Sequence, residues 1–452
     1  MRSLRISYAG TRGIIGESMT PVLAQRYVNA LGAYLEGGAV VIARDPRVSG
    51  IMLHSAAVSA LLSCGCDVYD LGVCPTPAAQ FYIRHHENIK GGIVITGGHN
   101  NANWNGIIPY RADGTVFDEY DGGELLEFYH AVTFPHVGWK ELGKHIIVKD
   151  AIDFYLDKLI SFLDAKKIQS KNFTVVLDPC NGAAAPLSTL ICQRLNCNVI
   201  PINDEPNGIF PHAPEPRPRN GKQVSSIIKA IGADVGFCFN SDGSRFSIVS
   251  NDGETISEEF AFPLIADYYL SKKCSSNSIV TNICTTKTLD DVAKRHSAQL
   301  IKTPIGQSSV VSAMLNEDAC IGGEGSGGIA IKKFQPAFDG FLSMGLVLSS
   351  LAESGKTCKE LIDNLSRYHL VKKYVCCRPD RQYAAVDEIR RAFEDEKNID
   401  LTDGVRIDWE NGWLHVRAAT TEPMVRVISE SDTMELSAER VDSALKIIYS
   451  VI

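Results

Sequence analysis

Four short, nearly continuous apolar runs recur along the chain: Val40–Ala43, Gly92–Thr96, Phe173–Leu177 and Ser278–Ile283. Each leads into a polar or glycine-rich turn. Runs of this length without a polar alternate face predict strands buried on both sides. Between them lie stretches with helical spacing: Pro21–Leu35, Leu53–Ser63, Ala151–Ala165, Val224–Ile231, Phe260–Tyr269 and Leu289–Arg295. Pro21 suits a first helical turn with Thr20 as its cap. Alternation of the two patterns predicts α/β units. After Ser366 the pattern changes. Tyr383–Glu396 and Ala438–Tyr449 predict helices, and Val405–Trp409 with Trp413–Arg417 alternate as a hairpin around Asn411-Gly412. This predicts a small, separate α+β domain. The proline-rich segment Pro211–Pro218 predicts a fixed loop inside a domain, because ordered sequence flanks it on both sides.

The chain has 452 residues, which at ~150 residues per domain corresponds to about three domains. Apolar content of 45% and charged content of 22% exclude a disordered or low-complexity chain. The net charge of −8 disfavours wholesale nucleic-acid binding, so anionic ligands would need local basic pockets. No apolar run reaches the ~18 residues of a membrane span; the longest, Phe341–Ala352, contains Ser343, Ser349 and Ser350. The first residues show no secretory signal pattern. The 13 cysteines are scattered without zinc-knuckle spacing, as expected of reduced thiols in a cytoplasmic protein.

Five polar loops carry the candidate chemistry: Gly10–Gly16, Thr96–Gly106, Asn240–Arg245, Gly322–Gly328 and Arg417–Arg426. Singly, each is as consistent with a tight turn as with a ligand site. Glycine-rich loops after strands can cradle phosphate with backbone N–H groups. Arg417, Thr421 and Arg426 together suit a phosphate, with two guanidiniums for charge and a hydroxyl for geometry.

In this order, and with Arg44–Gly50, Leu71–Pro77, Asp178–Gly182 and Thr421-Glu422-Pro423 between them, the loops resemble the α-D-phosphohexomutase family, most closely its phosphoglucosamine mutase and phosphomannomutase branch. The resemblance runs from Ile6 to about Glu430. It implies three related α/β domains with mixed sheets around a central cleft and a small C-terminal α+β lid. The expected boundaries are 1–150, 151–252, 253–367 and 368–452. It implies movement of a phosphoryl group between O1 and O6 of a hexose phosphate, with a phosphoserine as carrier and Mg²⁺ as its activator. Arg12, His99, Asn105 and Arg245 match active-site positions, Glu324 and Ser326 the sugar-recognition loop, and Arg417, Thr421 and Arg426 the phosphate clamp.

The departures are concentrated. The carrier serine is Gly98, and a lysine of the same loop is Ile108. The three aspartates of the metal loop are Asn240, Asp242 and Ser244, so side-chain charge there falls from −3 to −1. A small hydroxyl residue of the phosphate loop is Ala419. Carrier, metal carboxylates and lysine all serve phosphoryl transfer, whereas sugar and phosphate recognition remain. The expectation is a pseudoenzyme that binds a hexose phosphate with weak or absent Mg²⁺, as a sensor or regulatory partner. The alternative is an active phosphosugar enzyme, either a mutase with another carrier or one with altered chemistry in which His99 acts as acid and base. The expected ligand is a phosphosugar, without nucleic acid or membrane. A homodimer through the first domain and pairing with an active paralogue are both compatible with the resemblance.

Overall fold

The computed structural model describes residues 4–131, 134–272, 276–419 and 423–452. Three successive segments build the same four-strand unit. In the first, strand Gly38–Arg44 lies between the parallel strands Cys66–Val73 and Ile89–Ile95, and Trp104–Arg111 returns antiparallel to Ile89–Ile95. In the second, Thr174–Asp178 lies between Asn198–Pro201 and Val235–Phe239, with Phe246–Val249 antiparallel to the latter. In the third, Ser278–Asn282 lies between Gln299–Thr303 and Ile321–Glu324, with Gly328–Ile331 antiparallel to the latter. The first sheet adds Arg5–Ser7 and Gly10–Ile14 beside Trp104–Arg111 and His145–Ile147 at the far edge, seven strands in all. Three related mixed sheets are therefore present, as the family resemblance implies.

The repeat positions the candidate loops. In every unit the chain turns back between the third, parallel strand and the fourth, antiparallel one. The first such turn holds residues 96–103, the second 240–245 and the third 325–327. Three loops far apart in sequence thus occupy equivalent places at the carboxyl ends of parallel strands, where open α/β sheets present their ligand sites.

One continuous apolar core links the three units. It runs from Phe81 through Tyr155 and Phe237 to Phe334 and Phe341. The C-terminal domain has its own core around Val405, Val416, Val427 and Ile448. Its five strands are all antiparallel, in the order His369–Cys376, Met424–Ser431, Gly412–Ala418, Val405–Trp409 and Ile399–Asp400. Helices Pro379–Ala392 and Met434–Tyr449 pack on this sheet. Polar contacts bind it to the third unit: the Arg406 guanidinium donates to the Ile283 carbonyl, and Glu430 accepts from the Lys287 N–H at 2.6 Å.

Helix Pro21–Tyr34 starts as predicted, with the Thr20 hydroxyl accepting from the Leu23 N–H. Ala151–Ala165 is two helices, Ala151–Phe162 and Ala165–Gln169, because the chain becomes extended at Leu163, whose side chain turns into the core. The helix expected over Tyr383–Glu396 is Pro379–Ala392, with Pro379 opening its first turn. The hairpin turn also shifts. Gly412 pairs with Trp409, so Glu410 and Asn411 form the loop. At Gly412, with φ +145°, a Cβ would lie 2.0 Å from the Glu430 carbonyl oxygen, so only glycine fits. The pattern does not reveal helices Thr76–Arg84 and Gly340–Ser354, because both are buried nearly all round and have no polar face to set a period. Pro211–Pro218 is a fixed loop: Asn220 donates to the carbonyls of Ala213 and Glu215, and His212 Nε2 lies 2.9 Å from Asp178. Among the described residues no helix is long and apolar enough to cross a membrane, and the described cysteines are all free.

Asp339 ties the second segment to the third. Its buried carboxylate accepts from the Tyr155 hydroxyl at 2.7 Å, from Gln335, and from the N–H groups of Phe341 and Leu342 that begin the next helix. Tyr155→Phe keeps the ring and removes one donor. It is expected to cost about 1–3 kcal/mol, read as a lower denaturation midpoint in urea at unchanged slope.

Candidate functional site

The three loops and the C-terminal sheet face one cavity of about 430 Å³. Arg12, His99 and Ile108 come from the first unit, Arg245 from the second, Glu324 and Ser326 from the third, and Arg426 from the C-terminal domain. Residues more than 400 positions apart in sequence thus share one cleft.

The loop at 96–103 is held by a buried ion pair. Arg47 and Asp45 have no exposed side-chain surface and contact each other directly. Arg47 also donates to Ser241 Oγ at 3.0 Å and to the carbonyls of Gly98 at 3.1 Å and Asn100 at 2.5 Å. Asp45 accepts from the Thr96 hydroxyl at 2.7 Å, and Thr96 Oγ1 in turn accepts from the Gly98 N–H at 2.8 Å. Ser241 Oγ donates to the Gly98 carbonyl at 2.7 Å. The first and second loops are therefore fastened to each other around residue 98.

Gly97 and Gly98 differ. A Cβ on Gly97 would lie 2.8 Å from both Arg47 and the Trp104 carbonyl oxygen, so packing requires glycine there. A Cβ on Gly98 would meet nothing closer than Asp242 Oδ2 at 3.8 Å and Arg12 at 3.9 Å. Space at 98 thus admits a side chain, pointed between a carboxylate and a guanidinium. Only the left-handed backbone, φ +57°, favours glycine, at a cost of roughly 1–2 kcal/mol for other residues.

The second loop is closed on itself. Asp242 Oδ1 accepts from Asn240 Nδ2 at 2.8 Å, from the Ser244 N–H at 3.0 Å and from the Ser244 hydroxyl at 2.7 Å. Asn240 Oδ1 accepts from the Arg245 N–H at 3.0 Å. One carboxylate oxygen, Asp242 Oδ2, is left facing residue 98. Mg²⁺ takes an octahedral shell of oxygen ligands, usually anchored by carboxylates. Here the Asn240 oxygen is engaged, its NH₂ points into the loop, and the Ser244 proton is directed at Asp242. This donor set does not fit Mg²⁺. Among the described residues no group of three or more His, Cys, Asp and Glu side chains is arranged to hold a metal ion.

Cations crowd this end of the cleft. Burial and then the neighbouring Arg245 lower the pKa of Arg12, while Asp242 acts in the opposite sense. Arg12 Nε is buried without a hydrogen-bond partner. Burial, with Arg245, Arg12, Arg217 and Arg47 around it, pushes His99 down to about 3. Burial and these arginines disfavour the protonated imidazole, which weighs against His99 as a proton donor. Arg217, supplied by the proline-rich loop, was not singled out by the sequence, because a lone arginine among prolines carries no spacing signal.

The turn after strand Ile321–Glu324 brings Glu324 and Ser326 beside Arg245. Glu324 Oε1 accepts from the Gly306 N–H at 3.1 Å, and Oε2 accepts from the Ser326 hydroxyl at 3.2 Å. Arg245 donates to Ser326 Oγ at 3.1 Å and lies 3.6 Å from Glu324. Glu324 and Ser326 are thus presented as an acceptor and donor pair beside a cation. Beneath them is a second carboxylate that the sequence did not reveal. Burial raises Glu259 to about 7 although Lys372 pulls it down, and its Oε1 accepts from Lys372 at 2.8 Å.

On the C-terminal sheet Arg417 and Arg426 are direct cross-strand partners, so both guanidiniums stand on one face. Asp403 orients Arg417 at 3.1 Å, and Arg426 lies across the Tyr374 ring. Thr421 lies outside the described residues. Asn105 is not a ligand contact: it is fully buried, donating to Ser49 Oγ at 2.9 Å and accepting from the Gly106 N–H at 2.8 Å. It holds the loop's exit strand.

Comparison with known proteins matches the architecture segment by segment. Models of phosphoglucomutase/phosphomannomutase α/β/α domains I, II and III match residues 5–135, 153–253 and 259–368, and that of the C-terminal domain matches 375–446. A phosphoglucomutase/phosphomannomutase of Thermococcus kodakarensis is 35% identical over 445 residues, 97% of each chain. A probable phosphoglucosamine mutase of Methanopyrus kandleri is 30% identical over 97% of this chain and 96% of its own. The crystal structure of a phosphoglucomutase/phosphomannomutase family protein from Burkholderia thailandensis superposes with a TM-score of 0.87 at 25% identity, covering 99% of this chain and 98% of that one. With four domain models in order along nearly its whole length, the chain belongs to the phosphoglucomutase/phosphomannomutase family, the α-D-phosphohexomutases.

Proposed function

We propose that the cleft binds a hexose phosphate, with the phosphate on Arg417 and Arg426, the sugar hydroxyls on Glu324 and Ser326, and the opposite end of the sugar toward Arg12 and Arg245. The facing guanidiniums and the carboxylate–hydroxyl pair between them support this orientation. Ligand binding here proceeds without Mg²⁺.

The observation that carries the chemical reading is residue 98. Its position between Asp242 and Arg12 has room for a carrier side chain, yet it holds none. Removing a nucleophile in a well-studied hydrolase costs roughly 10⁶ in rate. We therefore read the protein as a phosphosugar binder in which no phosphoserine at 98 relays the phosphoryl group, suited to sensing or regulation. A second reading is an active phosphohexomutase. The names of its relatives, matched over 97% of the chain, favour it. That reading requires a carrier other than residue 98.

Calorimetry in metal-free buffer is expected to give saturable heat with glucose, mannose or glucosamine 6-phosphate; no heat with any of them would refute the binding. Arg426→Ala is expected to weaken affinity by about 10- to 100-fold, the value of a charge-assisted hydrogen bond of roughly 1.5–3 kcal/mol. Phosphorus NMR with a hexose 1,6-bisphosphate added is expected to show sugar 1- and 6-phosphates unchanged. Interconversion at several turnovers per second would replace the binder with the mutase reading.

The loop at 240–245 yields a separate expectation. Wild-type protein titrated with Mg²⁺ is expected to show no saturable binding in the low millimolar range. Asn240→Asp combined with Ser244→Asp restores side-chain charge from −1 to −3 and is expected to bind the ion saturably. Tight Mg²⁺ binding by the wild type would show that the internal hydrogen bonds of the loop yield to the cation.

A further inference from the structure

A thiol and an imidazole meet where the third unit touches the C-terminal domain. Cys284 follows strand Ser278–Asn282, is partly exposed and lines the cleft. His415, on strand Gly412–Ala418, is fully buried behind it. Cys284 Sγ lies 2.9 Å from His415 Nδ1, and His415 Nε2 lies 2.6 Å from the Asp403 carbonyl oxygen. A carbonyl only accepts, so Nε2 carries the ring hydrogen and Nδ1 presents its lone pair to the thiol. Nucleophile, base and a group that orients the base are thus in line, the arrangement that activates a side-chain nucleophile. The other thiol–imidazole contact, Cys180 with His212 at 3.6 Å, is sealed, with no exposed surface on Cys180.

We propose that Cys284 is a nucleophilic modification site for small, uncharged carbon electrophiles, with His415 as its general base. Sγ attacks the electrophilic carbon and an S–C bond forms. In a displacement the carbon–halogen bond breaks and its electron pair leaves with the halide. The thiol proton passes to His415 Nδ1 and from there to solvent. No oxidant or metal is required.

The charges around the pair define how it reacts. Burial pushes Cys284 up to about 12; Arg406 and Arg417 oppose this, and Asp403 and Glu259 reinforce it. Burial also pushes His415 down to about 4, with Asp403 opposing and Arg406 and Arg417 reinforcing. The resting pair is neutral, S–H···N, and the proton moves only during attack. Because the proton passes to His415 during attack rather than before it, the rate does not follow a thiolate population and is nearly independent of pH between 6 and 8. A free thiol with a pKa of about 8.5 instead gains about 75-fold over that range.

The position links the thiol to ligand binding. His415 and Arg417 stand two residues apart on one strand face, and both are held by Asp403, through its carbonyl and its carboxylate respectively. An adduct on Cys284 therefore occupies the space beside the phosphate clamp. This second step rests on the phosphosugar reading; the reactivity does not.

The test labels the native full-length protein with iodoacetamide and follows each cysteine by peptide mass spectrometry from pH 6 to 8, with N-acetylcysteine as the reference thiol. The expected result is labelling of Cys284 that changes less than threefold while the reference follows its usual rise. His415→Gln is expected to slow Cys284 at least tenfold at pH 7. A Cys284 rate that climbs in parallel with the reference, or no labelling of Cys284, would overturn the proposal without recourse to the variant. Saturating glucose 6-phosphate is expected to slow Cys284 labelling at least tenfold. Undiminished labelling of protein shown by calorimetry to be saturated would overturn the link to the clamp alone. Absence of sugar binding leaves the pH profile of labelling as it was, so the two failures are distinguishable.

Discussion

The buried pair of Arg47 and Asp45 is the contact on which the site depends. A guanidinium without water around it is costly unless protein acceptors meet its donors. Here Asp45, Ser241 and the carbonyls of Gly98 and Asn100 meet the two terminal nitrogens, while Nε is buried without a partner. Because two of those acceptors are backbone atoms of one loop and a third belongs to the next unit, the requirement to satisfy Arg47 also sets the spacing between the loops. The Phe210 ring, 4.8 Å from the guanidinium, adds the proline-rich loop to the same anchor. Removing one partner would leave an uncompensated charge in the interior, a far larger penalty than a lost surface ion pair.

Around this anchor the site keeps its frame while its reactive groups change. The strand order of each unit brings its turn to the cleft whatever side chains the turn carries. Glycine at 98 makes three hydrogen bonds, all through its N–H and carbonyl and none needing a side chain. Asn240 and Ser244 both donate hydrogen bonds to Asp242, so the loop satisfies itself. The frame thus accommodates these side chains, in keeping with domain models that match along nearly the whole chain.

The electrostatics follow from the same exchange. Arg12, Arg217 and Arg245 gather around His99, whereas the loop at 240–245 contributes one carboxylate, Asp242. Burial and the neighbouring Arg245 depress Arg12, as expected where cations gather with little compensating charge, a state an anionic ligand relieves. At the other end Arg426 lines the same space, with Arg417 beside it on the sheet, from a domain with a separate core joined to the rest by polar contacts around Ile283 and Lys287. A ligand charged at its ends therefore suits the cleft better than an apolar one.

Local sequence was sufficient for the strands whose apolar runs are buried on both faces, for the Thr20-capped helix, and for the order of the five polar loops. Those features depend on neighbours along the chain, and so do the identities at 98, 240 and 244. Tertiary structure alone decided the rest. It showed that Asn105 faces inward, that Arg217 and Glu259 belong to the cleft, and that His99 sits among arginines. It also showed that the thiol of Cys284 meets an imidazole 131 residues away. Burial, charge proximity and alignment of donor with acceptor are properties of groups brought together from separate domains, and no periodicity within a single segment records them.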